Sequence, residues 1–149
     1  MHRTSKLLVL AAAILLTPVA HAAAQQEEPL IPRPIDAKAP TAQRARAVAD
    51  LVLAGDREKL ESYLKENAAP EYVSAPTFAS DVTAVLDAMK AGARTVARLD
   101  GLGSAGVGVA LAQKIGAPLE RAIVVRLEPA EPHRVTGLRV VPIGGGPGQ

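Results

Sequence analysis

Apolar residues recur at three- and four-residue intervals in the first half of the chain and at two-residue intervals in the second. In the stretch after Pro40, Ala45, Val48, Leu51 and Val52 fall on one side of a helix that Thr41 is placed to cap and Gly55 to end. Asp56 can cap a second helix, with Leu60, Tyr63 and Leu64 on one face and Lys and Glu on the other, stopping near Asn67 before Pro70. A third helix over roughly Thr77 to Ala91 lines up Phe78, Val82, Val85, Leu86 and Met89 and closes at Gly92.

After Gly92 the period becomes two, which predicts strands over Thr95 to Leu99, Val107 to Gln113, Leu119 to Leu127 and Val135 to Pro142. Glycine- and proline-rich breaks separate them, around residues 100–104, 114–118 and 128–132. These breaks are too short for parallel crossovers, so the strands must run as an antiparallel meander. The expected class is α+β: three N-terminal helices on one face of a curved four-stranded antiparallel sheet.

The chain ends add a different kind of information. His2, Arg3 and Lys6 precede an apolar run from Leu7 to Leu16, and Ala20-His21-Ala22 follows. A basic start, an apolar run too short to span a bilayer and a small-residue site together make a cleavable signal peptide over 1–22. The mature protein is then periplasmic or secreted, with no stable membrane insertion after cleavage. From 23 to 40, prolines at 29, 32, 34 and 40 with no apolar period predict an extended linker. Residues 144–149 read as a glycine-rich disordered tail, leaving one domain over 41–143.

Composition narrows the function. Of 17 basic and 15 acidic residues, Arg3 and Lys6 leave with the signal, so the mature charge is balanced, which with only one Phe, two Tyr and no Trp argues against nucleic-acid binding. Without cysteine, an exported domain has to stand on its apolar core. His133 is the one histidine left after cleavage, so one chain offers no histidine cluster for a metal, and no cofactor is expected.

The short motifs point to structure. Ser62-Tyr63-Leu64-Lys65 has Ser-x-x-Lys spacing, but it lies in a charged surface helix of a chain too short for that enzyme fold. Gly101-Leu102-Gly103-Ser104-Ala105-Gly106 spells Gly-x-Gly-x-x-Gly between two strands, where a dinucleotide site needs a strand and a helix, so it reads as a flexible hairpin loop. None of Ser62, Ser74, Ser80 or Ser104 sits in a nucleophile elbow that would call on His133, whose simpler role is to order the turn before the last strand. Arginines 94, 98, 121, 126, 134 and 139 lie on or beside strands as solvated positions, or else converge on an anionic ligand.

The run Val48 to Val73 and the closing run Val124 to Val140, with Pro132-His133-Arg134-Val135 and Gly137, resemble the NTF2-like domains that precede serine-hydrolase or tail-specific protease domains in secreted bacterial proteins. The resemblance spans about a hundred residues and implies a cone-shaped domain, a concave pocket and homodimerisation. It implies a non-catalytic binding or accessory role, with a small apolar molecule or a protein as ligand. Two alternatives stay open: a cone-pocket isomerase or hydrolase-like enzyme, and a partner module for a separately encoded serine hydrolase. Candidate pocket residues are Tyr63, Tyr72, Phe78, Arg98, Arg126 and His133. Asp81 and Asp87 fall on the polar side of the third helix and Asp100 begins a turn, positions that do not suit a buried general base.

Overall fold

The computed structural model describes residues 32–143 except 91, 115, 118 and 120. The stretch read as a signal peptide, the first part of the one read as a linker, and the glycine-rich residues 144–149 lie outside the described residues. No helix among those described is long and apolar enough to cross a membrane.

The class is α+β, with helices first and an antiparallel sheet after them. Helix α1 spans Pro40–Ala54, α2 Arg57–Asn67, α3 Pro70–Val73 and α4 Phe78–Lys90. The strands are β1 Arg33–Pro34, β2 Thr95–Gly101, β3 Val107–Ala112, β4 Arg121–Leu127 and β5 Val135–Pro142, hydrogen-bonded in that order. Every neighbouring pair is antiparallel, as the short connections require.

The sequence pattern needs three corrections. The sheet has five strands and the helical layer four helices. Strand β1 lies inside the stretch read as linker, where Arg33 pairs with Gly101 and Pro34 with Asp100. Proline is admissible there because β1 is an edge strand. The extra helix, α3, is one turn opened by Pro70, too short to show a period. Helix α1 starts at Pro40 with Ala39 as its N-cap and no side-chain cap bond, so Thr41 lies inside the helix.

The other helix signals act as their chemistry dictates. Gly55 takes the left-handed conformation that ends α1, with φ 69° and its N–H donating to the Val52 carbonyl. The Asp56 carboxylate accepts from the Lys59 backbone N–H at 3.1 Å, and this bond, ahead of the Lys59 side chain, holds its carboxyl below the ordinary range.

The core lies between the helical layer and one face of the sheet. Helix α1 buries Ala42, Ala45, Val48, Ala49 and Val52, and its alanines allow close approach to β2 and β3. Leu60 and Leu64 of α2 and Phe78, Val82 and Val85 of α4 fill the rest from above. From below come Val107, Val109, Leu111, Ile123, Val125, Val135 and Leu138. Among the described residues no polar or charged residue type is buried, and no buried side-chain polar atom lacks a partner.

The Gly101–Gly106 segment is a tight connection and not a slack loop. It contains a 3-10 turn over Gly103–Ala105, and Leu102 N–H donates to the Gly106 carbonyl at 2.9 Å. Gly106 has φ 109° and lies directly against the backbone of β4.

Candidate functional site

The chemistry collects at the seam where α3 and the start of α4 meet β5. Pro70 opens α3 and brings Tyr72 down onto the sheet. The bend over Ser74–Thr77 then reverses the chain into α4, so that Phe78 packs edge-on against Tyr72, ring centroids 5.4 Å apart at 77°. One turn into α4, Asp81 meets the phenol: the Tyr72 hydroxyl donates to Asp81 Oδ2 at 3.1 Å.

Tyr72 is only 6 % exposed. Burial first, then the nearby Asp81 charge and the hydrogen bond to it, push its phenol well above the ordinary tyrosine range, while the Leu138 backbone N–H acts weakly the other way. The folded state therefore favours the neutral phenol. Its stabilising effect is complete below the unfolded value near pH 10 and is lost as pH rises toward the elevated folded value. Urea midpoints of the protein are expected to fall between pH 9.5 and 11.5, and to fall less in Tyr72→Phe. At neutral pH that variant should lose about 1 kcal/mol, the net worth of a typical hydrogen bond. Equal alkaline slopes in the two proteins would contradict the Tyr72–Asp81 pairing.

The pair forms one wall of an open cleft of about 620 Å³. Ala69, Tyr72 and Leu138 give it an apolar floor. Glu71, Ala75, Thr77 and Asp81 stand on the helical side, and Arg126, Glu128, Thr136, Gly137 and Arg139 on the strand side. Strand β5 is the last of the sheet, and the chain already uses its outer edge: Ala68 bridges Val135 in parallel and Ala69 N–H donates to the Val135 carbonyl at 2.9 Å. Arg126 lies across Gly137, which leaves room for its methylene stem, and forms no ion pair among the described residues. Such a cleft can hold an apolar body on its floor while cationic and carboxylate groups orient polar ends.

Of the six residues singled out from sequence, the structure brings Tyr72 and Arg126 into this cleft, with Phe78 directly behind Tyr72. The other three lie elsewhere. Tyr63 packs half-buried at the core edge on α2, and its carbonyl accepts from Asn67 Nδ2. Arg98 lies on the sheet face away from the helices, bonded to Asp100 Oδ2 at 2.7 Å. His133, at φ 53°, sets Nδ1 3.0 Å from the Glu128 carbonyl oxygen across the turn before β5. Arg44 joins that turn to the helices, donating to Asn67 Oδ1 and to the Pro132 carbonyl.

Asp81, Glu71, Thr77, Glu128 and Thr136 are among the cleft residues that sequence reasoning did not select. For Asp81 the available signal was Pro70 and Pro76 bracketing Tyr72, which forces a turn and brings the following helix back over it. No three His, Cys, Asp or Glu side chains among the described residues are grouped to hold a metal ion. The chain matches no known protein-family model, no curated protein and no solved structure.

Proposed function

We propose that the chain is an exported, non-catalytic binding or accessory domain of NTF2-like form, whose small-molecule or protein ligand seats in the cleft between α3, α4 and β5. The observation that carries this reading is the cleft itself, an apolar floor with charged rims beside a core filled by apolar side chains. Helices preceding an antiparallel meander are in keeping with the NTF2-like resemblance. Export rests on the signal-like first 22 residues.

One observation favours a second reading, an isomerase or hydrolase-like enzyme: a buried tyrosine and a carboxylate stand together in the cleft wall. The direction of their bond weighs against it. The Tyr72 hydroxyl donates its hydrogen bond to Asp81 and so does not present it to a ligand oxyanion.

Fragment titration of the 15N-labelled mature protein tests the binding reading. Hits are expected to move the amides of Tyr72, Thr77, Gly137 and Arg139, and Thr136→Arg, which crowds the cleft from an exposed position on β5, should abolish those shifts while the remaining amide spectrum stays in place. Hits gathered at any other surface would overturn the assignment.

A further inference from the structure

Strand β5 ends the sheet with an edge that the fold leaves partly unpaired. Backbone groups along a strand point alternately to its two sides, so every second residue of β5 turns its N–H and C=O away from β4. Leu138 is one of these, since its N–H reaches the Tyr72 hydroxyl. Val140 and Pro142 share its parity, and Pro142 has no N–H to present. The Leu138 carbonyl and both backbone groups of Val140 therefore face outward, with no partner among the described residues.

The chain itself shows how this edge is filled. Ala68 and Ala69 lie extended along β5, pairing with Val135 in the parallel sense, until Pro70 turns the backbone away into α3. The cleft begins where that pairing stops, and Ala69, Thr136, Gly137 and Leu138 all line it. A strand laid there continues an interface the fold has already built. In the same parallel sense, a residue opposite Arg139 can donate to the Leu138 carbonyl and accept from the Val140 N–H. Alternate side chains of such a strand fall against the helical wall, whose charged residues, Glu71 and Asp81, are both acids. Lysine suits that wall, because its stem can lie on the apolar floor while its ammonium reaches a carboxylate.

We infer that the ligand of the α3–β5 cleft is an extended, lysine-bearing peptide segment that adds a strand to the outer edge of β5. This names the ligand class for the binding reading given above and rests on that reading. A second copy of the chain fits the same edge less well. Pairing β5 with itself about Arg139 sets like charges directly opposite, and pairing about Val140 sets Pro142, with no N–H to give, against the Leu138 carbonyl.

A blocked peptide of alternating valine and lysine, titrated into the 15N-labelled mature protein, is the probe. It is expected to move the cleft amides and to slow hydrogen exchange of the Val140 amide at least about tenfold. Two N-methylated versions of the peptide decide whether its backbone pairs. Methyls on the alternating amides that face β5 should weaken binding at least about tenfold, while methyls on the other set point away and should leave it in place. Glutamate in place of lysine in the peptide should also weaken binding about tenfold, and Glu71→Lys, at an exposed position, should recover part of that loss. Equal behaviour of the two methylated peptides would overturn strand addition. Fragments that move the cleft amides while the valine–lysine peptide does not bind would overturn this inference alone and leave the cleft as the binding site, whereas binding of neither overturns both. Val140 protection that rises with protein concentration without peptide, together with a dimeric mass in light scattering, would overturn it too and assign the edge to a second copy of the chain.

Discussion

Gly106→Ala is expected to cost at least about 4 kcal/mol, a large share of the roughly 5 to 15 kcal/mol that stabilises a typical domain. Two effects combine. At φ 109° and ψ −139° the backbone is in a region that L residues rarely enter. A Cβ there would also drive into the Val125 carbonyl oxygen and meet Arg126 Cα at 2.9 Å, both backbone atoms of a central strand that cannot swing aside. Gly103→Ala is the control. Gly103 has φ 61° with nothing within 4 Å of the added carbon, so only the left-handed backbone cost remains, about 1 kcal/mol. Urea unfolding of both variants measures the difference, and equal losses would show that Gly106 is not jammed against β4.

The second large effect is expected at Leu111. It is fully buried on β3, between β2 and β4, with α1 packed above the strand. Leu111→Ala should cost about 3 to 4 kcal/mol, the lost transfer energy plus a cavity that β-sheet neighbours cannot collapse to fill. Leu102→Ala removes the same atoms from a half-exposed side chain that folds over Gly108 on the opposite face, and should cost about 1 kcal/mol. The ratio between the two, read from urea midpoints at unchanged slope, reports which face of the sheet carries the core. A reversed ratio would place the core on the wrong side of β3.

Much of this architecture is legible in the chain because period and punctuation agree. The alternation of Val107, Val109 and Leu111 with glycine and alanine marks both the strand and the face that meets the helices. Gly55 and Asp56 separate α1 from α2 through backbone chemistry that requires nothing distant. Strand β1 is illegible for the opposite reason: its two residues pair only because β2 extends to Gly101, and Pro34 argues against a strand until its edge position is known.

The cleft is less legible than the fold. Tyr72 and Arg126 can be singled out as a buried-type aromatic and a strand arginine, but what joins them is the approach of α3 to β5, fixed by Ala68 and Ala69 pairing with Val135. Asp81 lies on the polar side of α4, and the local pattern is right about that. Polarity on a helix does not say whether that side faces water or a tyrosine hydroxyl nine residues back.

A crystal under xenon pressure bears most directly on where a ligand is held. Xenon enters dry apolar cavities and reports their position. With the space between helices and sheet filled, no xenon is expected among Val48, Leu64, Val85, Val109 and Ile123, and any bound atom should lie at the rim near Leu138. A well-occupied xenon site among those five side chains would contradict the filled interior and move the ligand pocket to the space between helices and sheet.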